Sequence, residues 1–226
     1  MKTIKKIILT LITILSIGTL SAQEKSKVTF DIGVDFVSRY VWRGLEFSDS
    51  PAMQPYAEYN SGNFTFGAWA SYETGGQVVG QEFDFYVGYS FGAVSLGFTD
   101  YAFPVDGMSD GYFQMKNHVG EATISFDGVE KFPLTLLLGV NVYNDDANSI
   151  YTELGYPFKI GETELSAFVG AGNEIYSIDG DFAITNFGIS AAKDIKMTDS
   201  FSLGVSTSAI FNPNTEDAYL VFLISL

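Results

Sequence analysis

The chain has 226 residues and a formal net charge of −15, from 12 basic and 27 acidic residues, and it contains no cysteine. The acidic balance excludes nucleic acid as a partner, because binding to a phosphate backbone depends on lysine and arginine. The lack of cysteine excludes a disulfide framework and lipid attachment through a cysteine.

The N-terminus has the three parts of a secretory signal peptide. Three lysines precede an apolar run over 7–20, and the segment Leu20-Ser21-Ala22 that follows ends in a small residue. We predict a signal peptide over 1–22 and one domain over 23–226, with nine basic and 27 acidic residues and a net charge of −18. The alternative is a retained anchor, but the run falls short of the roughly 20 residues of a membrane-spanning helix.

The first stretch of the mature chain, from Val28 to Leu45, alternates between apolar and polar residues. A period of two predicts a β-strand whose two faces meet different surroundings. One face ends in Tyr40 and Trp42, which we interpret as part of an aromatic girdle at a bilayer interface, with stacking on a ligand as the alternative. The other face carries two acids and two arginines: Asp31, Asp35, Arg39 and Arg43.

Eleven later segments repeat this alternation, which gives about twelve strands in all. They cover residues 51–59, 63–73, 82–91, 93–103, 112–126, 134–143, 149–158, 163–173, 181–192, 201–211 and 218–226. An exported chain without a helix-length apolar segment after its leader can cross a membrane only as a closed barrel. We therefore predict an all-β fold, a closed antiparallel transmembrane β-barrel in the outer membrane of a two-membrane bacterium, in contact with outer-membrane lipid.

The polar face of these strands decides between a barrel and a soluble sandwich. It is rich in small residues, among them Gly67, Gly97, Gly139, Gly155, Gly170, Gly188 and Gly204. A sandwich exposes a charged outer face, whereas small uncharged residues suit the lumen of a barrel. The connections also alternate in character. One set carries Asp106, Asp110, Asp145, Asp146, Glu216 and Asp217, and the other carries Lys131, Lys159, Lys193 and Lys196. We predict that the acidic set forms the outer loops.

Two strands contain residues that disagree with a regular barrel. Pro55 lies inside the second strand and lacks an N–H donor, so we predict a bulge there. In the strand over 112–126, strict alternation turns Lys116 and His118 outward. A bulge at Val119-Gly120 would turn both into the lumen, and we predict one because bulges are common at barrel rims.

Three early blocks carry a resemblance to a known family. They are Asp35-Phe-Val-Ser-Arg-Tyr-Val-Trp-Arg-Gly-Leu45, Pro51-Ala-Met-Gln-Pro-Tyr-Ala-Glu-Tyr59 and Phe66-Gly-Ala-Trp-Ala-Ser71. With Glu82–Tyr89 and Tyr101–Pro104 they resemble the TorF-like porin family, a group of conserved hypothetical outer-membrane proteins. The family has an acidic residue where this chain has Arg39. The resemblance implies an outer-membrane barrel.

Catalytic and metal-binding patterns are weak in this sequence. His118 is the only histidine, and Ser125, its nearest downstream serine, lies roughly 23 Å along the same strand at about 3.3 Å per residue. The chain has no G-x-S-x-G elbow. The pairs Asp145-Asp146 and Asp179/Asp181 do not follow calcium-loop spacing. We expect no enzyme activity, no catalytic residue, no metal and no cofactor.

The predicted lumen face leads to two alternative functions. Its charged candidates for selectivity are Asp31, Asp35, Arg39, Arg43, Glu58, Asp84, Glu121, Glu153 and Glu164. The leading hypothesis is a narrow passive channel for small hydrophilic solutes, weakly cation-preferring because carboxylates prevail. The alternative is a structural or adhesive barrel whose lumen is packed, since Trp69, Tyr86, Leu137 and Phe168 share that face. We also expect Arg39 to lie opposite Tyr56 on the neighbouring strand and to form an ion pair with Glu58, its diagonal neighbour.

Overall fold

A computed structural model of the chain describes residues 28–75, 81–104 and 112–226. These residues form strands β1 (Val28–Val37), β2 (Tyr40–Trp42), β3 (Leu45–Ser48), β4 (Ala52–Ser61), β5 (Phe64–Glu73), β6 (Glu82–Phe91), β7 (Val94–Ala102), β8 (His118–Phe126), β9 (Thr135–Tyr143), β10 (Ile150–Ile160), β11 (Thr163–Gly172), β12 (Ala183–Lys196), β13 (Ser202–Asn212) and β14 (Asp217–Ser225). Two single 3₁₀ turns, Met115–Asn117 and Glu174–Tyr176, precede β8 and β12. Among the residues described, no helix is long and apolar enough to cross a membrane. The predicted signal peptide, Asp106 and Asp110 lie outside the described residues.

Within the described chain, twelve strands close into one antiparallel barrel, as the alternation predicts. Neighbours in sequence pair from β4 to β14, and β1 joins β4 on one side and β14 on the other. The closing pair is short, from Asp35 opposite Ser225 to Val37 opposite Leu223. Strands β2 and β3 pair only with each other and form a separate hairpin.

The two ends of the barrel differ in their connections. One end, here called the turn end, carries connections 62–63, 92–93, 127–134, 161–162 and 197–201. Three of these are two-residue turns that begin with a glycine at positive φ, which is the geometry of a tight hairpin. The opposite end, the loop end, carries connections 38–51, 144–149, 173–182 and 213–216, together with the described residues that directly follow β5 and β7. The start of β1 and the end of β14 both lie at the turn end.

The outer face of the barrel is apolar over its whole circumference. Phe30, Phe66, Leu136 and Leu220 are each about half exposed or more, and similar residues follow on the other strands. Soluble monomers rarely expose a continuous apolar surface of this extent. The inner face carries the small and charged residues of the alternate positions.

The predicted bulge at Pro55 is wrong. Pro55 lies opposite Val34 in an uninterrupted ladder between β1 and β4. On the β5 side the pairing is interrupted at Gln54 and Pro55, but it resumes in the same register. The Gln54 amide donates a hydrogen bond to Ser71 Oγ at 3.3 Å and links the two strands at this gap. A side chain therefore joins the strands where the proline nitrogen cannot.

The predicted bulge in β8 is also wrong: His118 does not face the lumen, and Lys116 is an exposed residue of the 3₁₀ turn before the strand. Strands β7 and β8 pair without a shift. The extra residue is Val142 on β9, opposite Gly120 and Glu121. The side chain of His118 points outward from the barrel, yet it is buried. Its Nδ1 lies 2.9 Å from Asp100 Oδ1, and its Nε2 bonds to the carbonyl of Tyr112. A neighbouring side chain and a loop thus shelter the outward imidazole.

Candidate functional site

The most distinctive feature of the barrel is the hairpin formed by β2 and β3, here called the inner hairpin (Tyr40–Ser48). We predicted one continuous strand to Leu45, but β1 ends at Val37 and the chain turns back into the lumen. The inner hairpin reverses at Arg43 and Gly44, both with positive φ (53° and 81°), as a two-residue hairpin turn requires. The alternation ran on past the end of β1 because β2 is itself a strand.

The tip of the inner hairpin is seated against the barrel wall at β12 and β13. The carbonyl of Gly44 accepts a hydrogen bond from Asn212 Nδ2 on β13 at 3.0 Å. A Cβ at Gly44 would overlap the carbonyl oxygen of Thr185 on β12. Only glycine therefore combines this positive φ with so close an approach to another backbone.

Arg43 and Glu121 form an ion pair across the lumen. Arg43 Nη1 and Nη2 donate to the two carboxylate oxygens of Glu121 at 2.5 and 2.9 Å. The side chains are only 8% and 1% exposed. Nη1 also donates to the hydroxyl of Tyr176 at 2.7 Å, and the guanidinium lies 4.4 Å from the ring centroid of Tyr151. Both residues were predicted to face the lumen, and the structure joins them in a bidentate pair.

Tyr40 and Trp42 also point into the barrel, so the girdle interpretation of both residues is wrong. The ring of Tyr40 lies 5.6 Å from that of Trp69, and its hydroxyl donates to Glu82 at 2.8 Å. Trp42 packs 5.5 Å from Tyr101. The aromatic face of the opening stretch therefore contacts the inner wall, because the chain folds into the lumen after β1 ends at Val37.

Buried polar residues surround the inner hairpin. They come from strands around the barrel and the loops above them: Gln54, Ser71, Glu73, Glu82, Asp84, Glu121, Asn141, Ser149, Thr185, Asn186 and Asn212. Asp84, a predicted lumen residue, lies in this layer beside Glu82. The loop-end half of the lumen is therefore filled by side chains.

The lumen is narrower beside the glycines of the inner face than the sequence indicates. A Cβ at Gly67 would overlap the ring of Tyr86 on the next strand, and a Cβ at Gly33 would overlap the ring of Tyr56. In the same way the ring of Phe168 lies close over Gly188. Aromatic rings occupy the space beside several of these glycines.

The turn-end half of the lumen remains accessible to water. A cavity of about 620 Å³ lies beside β11 to β14, with Asp194, Lys196 and Ser206 among its lining residues. Two residues that we predicted to face the lumen lie on β1 in this half of the barrel. Asp31 is exposed, and Asp35 accepts a hydrogen bond from Ser225 at 2.6 Å. Glu164 pairs with Lys159 at the turn end, and both side chains are well exposed.

The remaining predicted residues have partners that the sequence did not indicate. Glu58 accepts hydrogen bonds from Asn60 and from the hydroxyl of Tyr86. Glu153 accepts bonds from the hydroxyl of Tyr151 at 2.5 Å and from Asn186 at 3.0 Å.

The predicted pair of Arg39 and Glu58 is wrong, because Arg39 bonds to Glu46 of the inner hairpin. That prediction placed Arg39 opposite Tyr56, whereas Tyr56 lies opposite Gly33. The error of six positions follows from the unrecognised hairpin between β1 and β4.

Sequence reasoning missed three tyrosines and one glutamate of this site. Tyr101, Tyr151 and Glu82 lie on the inner face, so the alternation could have found them. Tyr176 lies in a loop-end 3₁₀ turn, where no periodicity indicates a direction. In the described parts of the chain, no group of three or more His, Cys, Asp or Glu side chains could hold a metal ion.

Comparison with known proteins identifies a family whose function is unknown. No curated protein matches the chain. The family match includes every block on which the resemblance to the TorF-like porins rests, but its description carries no porin name. Residues 21–210 match the family described as "Bacterial protein of unknown function (Gcw_chp)", and the chain belongs to this bacterial family.

Proposed function

We propose that this protein is an outer-membrane β-barrel, exported by its N-terminal signal peptide. The apolar outer face and the closed ladder support this, because a membrane barrel needs an apolar exterior and no free strand edge within the lipid. Most of its strands have the 9–11 residues that cross a bilayer at a tilt. The turn end faces the periplasm in this proposal, and the loop end faces the exterior.

The function that the geometry supports best is that of a packed-lumen barrel, structural or adhesive through its loops, that does not conduct at rest. One observation carries this proposal: the buried bidentate pair of Arg43 and Glu121, which joins the inner hairpin to the opposite wall. Breaking such a pair leaves a buried charge unpaired, at about 3–5 kcal/mol. A hairpin held in this way blocks passive solute flow.

A cation-preferring channel is the second candidate, and the acidic lumen favours it. Asp31 and Asp35 line the accessible turn-end half, and Glu82, Asp84 and Glu121 would border the passage if the inner hairpin left. Carboxylates raise the local concentration of cations, and in a narrow bore they are screened less than rim charges. In this second proposal the inner hairpin is a gate, and small hydrophilic solutes pass only when it is displaced.

Single-channel recording in planar bilayers tests these two candidates. The wild type is compared with a variant in which residues 40–48 are replaced by a short Gly-Ser linker. We expect the wild type to be silent and the variant to conduct, with a reversal potential in a KCl gradient that indicates cation preference. Asp31→Asn/Asp35→Asn in the variant should weaken that preference. As a matched control, the same linker replaces the turn-end connection 127–134, and this protein should stay silent.

Two outcomes would contradict the proposal. Steady conductance of the wild type would refute the packed lumen, and silence of the linker variant would refute the inner hairpin as the barrier. Membrane location has its own test, because the protein should resist carbonate extraction from outer membranes and migrate differently on gels before and after boiling. Recovery of the protein in the soluble periplasmic fraction would overturn the membrane assignment itself.

A further inference from the structure

Three residues of the barrel wall and one of a loop-end turn form the site of the Arg43 guanidinium, here called the guanidinium seat: Tyr101, Glu121, Tyr151 and Tyr176. Glu121 supplies two carboxylate oxygens to the guanidinium, and Tyr176 supplies its hydroxyl oxygen. The ring centroids of Tyr151 and Tyr176 lie 4.4 and 5.5 Å from its central carbon. The planar cation thus meets a carboxylate at its edge and aromatic rings nearby.

The guanidinium seat is held in place by residues other than Arg43. The hydroxyl of Tyr101 donates to Glu121 at 2.8 Å. The hydroxyl of Tyr151 donates to Glu153 at 2.5 Å and lies 3.0 Å from Asn186 Nδ2. These partners belong to the barrel wall, so the seat should keep its form when the Arg43 side chain is shortened.

Glycines of the wall leave room for the seat. A Cβ at Gly139 would overlap the carboxylate of Glu121, and a Cβ at Gly172 would lie within 3 Å of the side chain of Tyr176. At these positions the wall therefore accommodates a carboxylate and a ring that a larger residue would displace. The seat therefore belongs to the barrel, and the inner hairpin supplies its occupant and one further ring, that of Trp42, 4.2 Å from the guanidinium carbon.

The chemistry of the seat selects a guanidinium over other cations. A guanidinium presents parallel N–H donors that match the two carboxylate oxygens, and it stacks on aromatic faces. An ammonium is a compact, strongly hydrated point charge that cannot offer this fork. Glu121 is only 1% exposed, so a cation beside it stabilises the folded barrel, because burying a carboxylate without a partner charge costs free energy.

We propose that the guanidinium seat is a binding site for guanidinium compounds and that Arg43 is its tethered ligand. Any free molecule with an unhindered guanidinium group has the chemistry to occupy the seat when Arg43 does not. In the wild type the tether keeps Arg43 at a high effective concentration, so a free ligand competes poorly. When the Arg43 side chain is removed, the seat becomes available.

Arg43→Ala tests this proposal with methylguanidinium chloride as the probe. The purified protein is folded in detergent from urea, with the probe at millimolar concentrations throughout, so that access to a closed lumen does not limit binding. Binding to the folded state alone should lower the unfolding equilibrium constant about tenfold when the probe is at about nine times its Kd. The effect should saturate with concentration, whereas a general salt effect continues to grow.

Matched variants and probes separate the seat from other causes. Arg39→Ala removes an arginine from an exposed pair, so the probe should not stabilise this variant. Arg43→Ala/Glu121→Gln removes the carboxylate charge, so saturable stabilisation should be lost. Urea at the same added concentration, which is planar but neutral, and potassium chloride should not replace methylguanidinium. Because the readout is stability in detergent, it does not depend on conductance or on the proposed function.

Three results would overturn the proposal. The first is equal stabilisation of Arg43→Ala by potassium and by methylguanidinium. The second is equal stabilisation of Arg43→Ala and Arg43→Ala/Glu121→Gln. The third concerns the case in which Arg43→Ala does not fold without a ligand. The yield of folded protein is then measured with and without the probe. Recovery with methylguanidinium alone supports the seat, and no recovery, while the double variant folds, refutes it.

Discussion

Substitution of Gly44 by alanine is the sharpest test of the inner hairpin, because it changes no charge. Gly44 has a φ of 81°, and a Cβ there would overlap the carbonyl oxygen of Thr185. Gly92, in a turn-end connection, has a φ of 68° and has no atom within 4 Å of a built Cβ. The two alanines share the backbone strain, and only the one at position 44 meets the wall.

Magnitudes decide how the barrel responds to Gly44→Ala. A left-handed alanine costs about 1–2 kcal/mol in either protein. Overpacking against Thr185 adds about 1–3 kcal/mol. Release of the inner hairpin would instead leave Glu121 without its cation, at about 3–5 kcal/mol. We therefore expect the tip to stay seated and the strain to lower the stability of the whole barrel.

Equilibrium unfolding in urea and detergent measures this difference. Gly44→Ala should be less stable than Gly92→Ala by about 1–3 kcal/mol, and each 1.4 kcal/mol is a tenfold change in the unfolding constant. Gly161→Ala, with a φ of 59° and open space, serves as a second control. If Gly44→Ala and Gly92→Ala unfold within about 0.5 kcal/mol of each other, the tip of the inner hairpin is not packed against β12.

Two further predictions concern the loop end. Arg39→Glu should lower stability by about 0.2–1 kcal/mol, because its exposed pair with Glu46 is lost, and Glu46→Arg in the same chain should restore part of it. A double variant that is no more stable than the additive expectation would rule out the pair. Although burial raises the pKa of Asp145, hydrogen bonds from Ser149 and Asn141 hold that pKa below its ordinary value of 3.8. The bonded loop is thus stabilised above that value and loses this stabilisation as the pH falls through the lower, folded-state pKa. Exchange protection of the Ser149 amide should fall at acid pH and should lose this dependence in Asp145→Asn, whereas the same acid response in both proteins would contradict the assignment.

The barrel itself could be predicted from the sequence because its signal is local. Each strand repeats an alternation that follows from the opposite directions of successive side chains. The segments over 63–73 and 82–91 correspond to β5 and β6 within one residue at each end. The inward direction of Asp35, Glu58 and Glu121 follows from the same alternation.

The inner hairpin could not be predicted in this way. A reversal inside a loop changes the partner of a strand without changing its period, so Tyr40 and Trp42 continued the pattern of β1. The pair of Arg43 and Glu121 joins residues 78 positions apart. Only the register of the whole barrel brings such residues together. The Arg43-Gly44 pair, with its glycine, was the one local sign of a turn.

The contacts of the inner hairpin also imply an order of folding. Gly44 and Asn212 are 168 residues apart, so the tip can dock only after the last strands have joined the wall. The two tryptophans of the chain separate the events, because Trp69 belongs to β5 and Trp42 to the inner hairpin. In Trp69→Phe, the fluorescence of Trp42 should change in a later phase than the circular dichroism of the strands. If both signals changed together, the inner hairpin would dock while the barrel closes and not after it. A later phase would make the centre of the barrel the last part of the molecule to become ordered.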